Sequence, residues 1–353
     1  MGIEDLAAGL DDLSRNREML ALLVLQGEQA APILTEVLLG PPSSIPDARC
    51  LAAEGLGAIR GEAAVSALIQ VLTLHDARSL DPILRLAEEA VRNRAAEQLG
   101  KIRNRRAVEP LLYALAHGGV REAMGALARY KEERAIPHIV RRLEDPCDRA
   151  AAADALLKFG SAAIPSLAAT LAEYRPSSTD EALASIERRA GAAWLLGIIG
   201  DRSVVPHLAA CLDYPAAAVQ LEAALALATL TPRNIPDRAL VIITEGLINP
   251  SPPMVLRCVD ALVEAADRSI AHLLSVGPPR RVPDIGPRRP GEDALQVSVI
   301  ETLERIGSEP SARVIEDYLD DHSRLVRERA HRALRQLSIA ANNQRNPYSA
   351  RSK

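Results

Sequence analysis

An all-α fold of stacked helix pairs, an α-α superhelix of about nine pairs plus a terminal helix, is what this sequence predicts. Three observations predict it. The 353 residues include 60 Ala and 49 Leu, two of the best helix formers. Aromatic residues amount to one Trp, six Tyr and one Phe, which disfavours a sandwich or barrel of aromatic-rich strands. A leucine-anchored pattern also recurs ten times, and a repeat array escapes the rule that a chain this long divides into compact domains.

The repeat justifies each helix pair in order. A first helix ends in Leu-x-x-apolar, a small or polar turn follows, and a second apolar helix completes the unit. The anchors are Leu22, Leu56, Leu99, Leu127, Leu156, Leu196, Leu227, Leu262, Leu303 and Leu334. Three residues later stand Leu25, Ile59, Ile102, Tyr130, Phe159, Ile199, Leu230, Ala265, Ile306 and Leu337. An i, i+3 pair shares one helix face, so each pair points into one core. Pro32, Pro110, Pro137, Pro165 and Pro206 fall in the first turn of a second helix, where a missing N–H costs nothing. Gly57, Gly100 and Gly197 let neighbouring helices approach closely. The array is expected over residues 1–338. Residues 339–353 are polar and read as a disordered tail.

Anchor spacing varies from 28 to 43 residues, so some units carry insertions. They fall near 75–86, expected to hold a short helix, near 173–186, and at 277–292, which is rich in Pro and Gly. All three lie between a second helix and the next first helix, on the edge where solenoids often bind.

The segments at 47–72, 91–115, 186–212 and 293–319 carry the motif most clearly. Val91-Arg92, Val120-Arg121, Leu256-Arg257 and Val326-Arg327 precede anchors, and Leu56-Gly57, Leu99-Gly100 and Leu196-Gly197 contain them. These motifs resemble HEAT repeats, in particular the short subtype of phycobilisome bilin-lyase subunits. The resemblance implies stacked helix pairs and a binding role. It also implies one alternative, a bilin lyase or chromophore-handling chaperone subunit.

Composition excludes several classes. Net charge is −4, so no global field calls for nucleic acid, and a nucleic-acid binder is an alternative only. Thirty-eight Arg against four Lys, scattered along the chain, read as codon bias. Cys50, Cys147, Cys211 and Cys258 form no metal-spaced pair and suit free thiols in a reducing, cytoplasmic setting. The acidic start lacks the basic region of a signal peptide, and no run of 18 uninterrupted apolar residues suggests a membrane span.

Catalytic motifs are missing: there is no G-x-S-x-G, P-loop or G-x-G-x-x-G. His138, His207 and His272 share a repeat position but belong to alternate repeats, too far apart for one zinc. The deoxyhypusine hydroxylase branch of HEAT-like proteins uses His-Glu pairs for iron, and no His-Glu dipeptide occurs. Trp194 reads as core, and Tyr113 alone is thin support for base stacking. The chain is therefore expected to be no enzyme and to need no metal or cofactor.

One charge feature points to binding. Residues 92–142 hold twelve basic and five acidic side chains. Arg103, Arg105 and Arg106 fall in one intrarepeat turn, and Arg129, Lys131 and Arg134 in or beside the next. These six, with Arg280, Arg281, Arg288 and Arg289 of the 277–292 insertion, are the candidate binding residues for a protein partner with an acidic surface.

Overall fold

The computed structural model describes residues 2–43, 45–73, 80–117, 119–172, 183–232, 234–246, 292–306 and 323–345, with scattered positions at 253–261 and 312–321. Among the described residues there is no strand. The fold class is the expected one, an all-α array of stacked helix pairs. It divides into two compact units, Met1–Ala169 with Ala182–Arg188, and Thr170–Glu181 with Arg189–Lys353.

In the first unit a short helix, α1 (Ile3–Ala8), precedes five helix pairs. The first helices are α2 (Asn16–Leu25), α4 (Asp47–Ile59), α6 (Pro82–Ile102), α8 (Glu122–Tyr130) and α10 (Arg149–Phe159). Their partners are α3 (Ala31–Leu38), α5 (Glu62–Val71), α7 (Val108–His117), α9 (Ile136–Arg141) and α11 (Ile164–Ala172). Each first helix packs against the next, α2 on α4, α4 on α6, α6 on α8 and α8 on α10. Second helices pack against the following first helix, α3 on α4, α5 on α6, α7 on α8 and α9 on α10. Pro32, Pro137 and Pro165 occupy the second position of their helices and Pro110 the third, as their missing N–H groups allow.

The second unit holds most of α12 (Leu183–Ile199), then α13 (Val205–Ala210), α14 (Ala217–Leu230), α15 (Asp237–Glu245), α16 (Glu292–Ile306) and α17 (Arg324–Arg345). Val299, Ile300, Leu303, Ile315, Val326, Ala330 and Ala333 form a core where α16 meets α17.

Leu56, Leu99, Leu127, Leu156, Leu196, Leu227 and Leu303 are all buried, as an anchor should be. The first anchor is corrected. Leu25 is 80% exposed, and Leu20 and Leu23 are the buried pair. The run Met19–Leu25 offers leucine in two i, i+3 registers, and spacing alone does not choose between them. In α17, Leu334 and Leu337 are partly buried and pack against the core that Ala330 and Ala333 complete. Leu262 lies outside the described residues.

Close approach at the expected glycines holds. A Cβ on Gly100 would stand 2.8 Å from the Ala126 Cα, and one on Gly197 would stand 2.8 Å from the Ala226 Cβ.

Three boundary expectations change. The insertion near 75–86 contributes no separate short helix in its described part. Asp81 accepts hydrogen bonds from the backbone N–H groups of Ile83 and Leu84 (3.0 and 3.1 Å), and α6 runs unbroken from Pro82 to Ile102. The end of the 173–186 insertion likewise becomes the start of α12 at Leu183. Residues 75–79 of the first insertion, 173–182 of the second, and 277–291 lie outside the described residues. The tail expected from 339 stays helical to Arg345, because α17 continues through Ala340–Ala341 without a break.

One stretch, Arg149–Ala172, is long and apolar enough to cross a membrane by composition, against the expectation of none. It folds instead as α10 and α11, separated by Gly160 at φ 63°, ψ −128°, and its leucines pack in the repeat core.

Candidate interaction surface

The positive edge of the first unit is built by the turns that join first to second helices. Each begins four residues after a buried anchor. Counting from Leu23, Leu56, Leu99, Leu127 and Leu156, the residues there are Gly27, Arg60, Arg103, Lys131 and Gly160. All five have positive φ: 59°, 62°, 60°, 56° and 63°. A left-handed residue at this point ends the first helix and turns the chain toward the second. Glycine takes that conformation freely, whereas a residue with a Cβ is strained there. Three successive repeats nonetheless place a basic residue in it.

Contacts tie neighbouring turns together. The Arg106 guanidinium donates to Glu62 (2.6 Å), and the Asn104 amide donates to the same carboxylate (3.1 Å). The Tyr130 hydroxyl donates toward the Leu99 and Asn104 carbonyl oxygens (2.8 and 3.0 Å). Burial pushes that phenol up to about 12, while Arg103 nearby pulls it down. Arg134 bridges Glu132 (2.6 Å) and Glu109 (2.8 Å). Its hydrogen bond holds the Glu132 carboxyl below the ordinary range, and Arg105 adds to the effect. The Lys131 ammonium donates to the Lys158 carbonyl oxygen at the end of α10. Four consecutive turns, around 60–62, 103–106, 131–134 and 158–161, thus form one continuous edge.

The structure brings Arg103, Arg105, Arg106, Arg129, Lys131 and Arg134 to this edge, as the sequence predicts. They are not equivalent. Arg106 and Arg134 are held by carboxylates. Arg103 and Arg105 are exposed and make no side-chain hydrogen bond or ion pair among the described residues. Arg129 is half-buried and lies over Gly100. Arg280, Arg281, Arg288 and Arg289 lie outside the described residues.

The charge count over 92–142 overstates the surface field. Arg92 is buried, Arg121 and Arg142 both reach Asp148 (3.0 and 3.4 Å), and Arg94 and Lys101 share Glu97 (2.8 Å each).

Sequence reasoning missed Arg60, exposed at the same turn position one repeat earlier. Its signal was the alignment of Leu56-x-x-Ile59-Arg60 with Leu99-x-x-Ile102-Arg103 and Leu127-x-x-Tyr130-Lys131.

A second set of arginines has a structural role instead. Arg49, Arg92, Arg149, Arg189 and Arg327 each stand seven residues before an anchor. Arg49 donates to the Leu38 carbonyl oxygen (2.9 Å), Arg149 to Leu143 (2.9 Å), Arg189 to Thr170 (2.7 Å) and Arg327 to Asp321 (2.5 Å). Arg49, Arg149 and Arg189 thereby cap carbonyls at or near the end of the preceding second helix, the negative end of its dipole, and Arg327 reaches back to the turn before α17. Codon bias does not explain these positions. Arg49 also forms a buried pair with Glu88 (2.6 Å), and Arg189 lies 5.6 Å from the centre of the Tyr214 ring.

Other candidates are dispersed. His138 is half-buried and His207 exposed, each at the third residue of a second helix, and His272 lies outside the described residues. Among the described residues no three His, Cys, Asp or Glu side chains gather as a metal site. Trp194 is only part-buried. Tyr113 is exposed and stacked on His117 with ring centres 4.5 Å apart. In the second unit, a cleft near the 202–204 and 231–234 turns is lined by Arg202, Thr231, Pro232 and Asn234.

The family model for the PBS lyase HEAT-like repeat matches residues 48–74, 91–117 and 188–214. These cover three of the four segments that carried the motif, and 293–319 is not among them. No curated protein matches the chain. Among solved structures, the chain is similar to the karyopherin Kap121p bound to the extreme C-terminus of the protein phosphatase Cdc14p, with TM-score 0.47 and 12% identity. That match covers 99% of this chain and 47% of the karyopherin. The CpcE–CpcF complex of phycocyanin lyase from Nostoc sp. PCC7120 gives 0.35 and 22%, covering 69% of this chain and 92% of that one. Human deoxyhypusine hydroxylase gives 0.28 and 16%, covering 88% and 97%. All these scores are below 0.5, and no activity passes from those proteins to this one. With its helix pairs, its buried anchors and the matched segments together, the chain is an all-α solenoid that carries three PBS lyase HEAT-like repeats.

Proposed function

We propose that this protein is a non-catalytic scaffold or adaptor that binds another protein through its repeat surface. One observation carries the reading. The first unit presents a row of exposed basic side chains on turns held rigid by inter-repeat contacts, and only some of them are committed internally. Rigid turns lower the ordering cost of binding. Exposed guanidinium groups speed encounter with an acidic surface and fix its register. Free thiols fit a reducing, cytoplasmic setting for that encounter. The repeat subtype keeps a chromophore-handling role as an alternative, and no geometry described above favours it.

The test is cross-linking in the native cell, followed by capture of the full chain and identification of what is bound. A defined protein enriched over an unrelated helical-repeat control supports the reading. No enrichment above that control overturns it. Mixing the purified chain with a bilin separates the alternative, because a shifted visible absorbance would favour it instead.

A further inference from the structure

We infer that the turn edge of the first unit holds an extended acidic peptide segment, gripped by Arg60, Arg103 and Lys131 with one acidic side chain per repeat. The inference rests on the scaffold reading and specifies what the edge grips.

The first argument is conformational. The left-handed position closing each first helix is glycine at Gly27 and again at Gly160. The three repeats between them carry Arg60, Arg103 and Lys131 at φ 56–62°. A cation there meets the negative end of the helix dipole, a gain that solvent and salt screen at an exposed side chain, while glycine takes the conformation with less strain. Internal contacts do not account for the choice. Arg60 and Arg103 are exposed and make no side-chain hydrogen bond or ion pair among the described residues. Lys131 reaches only a backbone carbonyl, which leaves further protons to donate. Backbone strain at surface positions whose long cations have so little internal partnership points to a ligand.

The second argument is spacing. Each of the three sits at the same register of its repeat, and the first helices that carry them pack directly on one another. Packed helices lie about 8–10 Å apart. A peptide extended as a polyproline II helix advances about 3.1 Å per residue with three residues per turn, so every third side chain lies on one face and meets the next repeat.

The third argument is the pattern of acids. Glu62, Glu109 and Glu132 are interleaved along the edge and tied to Arg106 and Arg134, and Glu133 is exposed beside them. A uniform polyanion such as nucleic acid, with a phosphate about every 3.4 Å along a strand, meets these carboxylates between the cations. A peptide with spaced acids and neutral residues between them does not. Interleaved acids thus select against the denser anion. Arg105, exposed and uncommitted, adds attraction on the same turn as Arg103.

The test uses the full chain and fluorescein-labelled peptides. One peptide carries glutamate at every third position among serines. A second has the same composition with its glutamates contiguous. A single-stranded oligothymidylate of equal charge is the third probe. Anisotropy at low salt is expected to show tightest binding to the spaced peptide. The triple variant R60G/R103G/K131G is expected to lose about tenfold or more of that affinity. Its melting temperature should stay level or rise, because glycine relaxes the three turns. R105E, outside the strained positions, should weaken binding without refolding any turn. Equal binding of the spaced peptide by the triple variant would overturn the inference. So would equal or tighter binding of the contiguous peptide or the oligonucleotide. A cellular partner captured equally by wild type and triple variant would leave the scaffold reading standing and sink this one. Ladder-dependent peptide binding with no cellular partner would sink the scaffold reading alone.

Discussion

At the residue scale, the decisive quantity is how each charge or thiol is held. Glu132 accepts from Arg134, and that bond lowers its pKa in the folded chain. A lowered carboxylate contributes stability above its unfolded value and loses it as pH falls through the folded value. Glu132 is therefore expected to stay charged in acid after ordinary glutamates have protonated, as read by carboxyl NMR titration. R134A should return it toward the ordinary range, and an unmoved titration would show that the bond does not set it. The thiols separate by burial. Burial pushes Cys50 and Cys211 up to about 11 and Cys258 up to about 12, while Cys147 is exposed. A thiol reagent at mildly alkaline pH should label Cys147 quickly and the other three slowly, since the thiolate is the nucleophile. Four equally fast thiols in the native protein would contradict the packing.

At the scale of elements, helix ends and close approaches carry the prediction. A Cβ at Gly100 meets the Ala126 backbone, which cannot swing aside. G100A should cost about 1–3 kcal/mol in a denaturant melt. Gly160 holds φ 63°, ψ −128°, a region open essentially to glycine, where α10 gives way to the 160–163 turn that leads into α11. G160A should lower stability by about 1–3 kcal/mol, and a neutral G160A would show that the break lies elsewhere. Much of this level was legible in the sequence. The anchor leucines and second-helix prolines were readable because helix periodicity and proline's missing N–H act locally. The register of α2 was not, because Met19–Leu25 fits two faces equally. The reach of α6 back to Pro82 was not, since repeat length suggested an insertion where Asp81 in fact caps a longer helix. Arg60 and the capping arginines escaped for another reason. Their partners are strained backbone or carbonyls of a neighbouring repeat, and neither leaves a mark on local composition.

At the scale of the molecule, stability is a sum over neighbours rather than a single core. Leu127 is fully buried where α8 meets α6 and α10. L127A should cost about 2–5 kcal/mol. In a repeat array that loss stays close to home. Hydrogen exchange should quicken in α6, α8 and α10 and stay unchanged in α14 and in α16–α17, which belong to the other compact unit. Uniform loss of protection across both units would mean that the chain unfolds as one block.

The carbonyl-capping arginines give the array a polarity. Arg49, Arg149 and Arg189 reach backward, to the end of the preceding second helix, and Arg327 reaches backward to Asp321. The second helices α3, α9 and α11 are therefore finished by the first helix that follows them. A chain shortened from its carboxyl side would leave a second helix with bare carbonyls, whereas one shortened from its amino side would leave only an idle guanidinium. Any transplant of these modules into another array should thus include the following first helix as far as its arginine, as part of the module it closes.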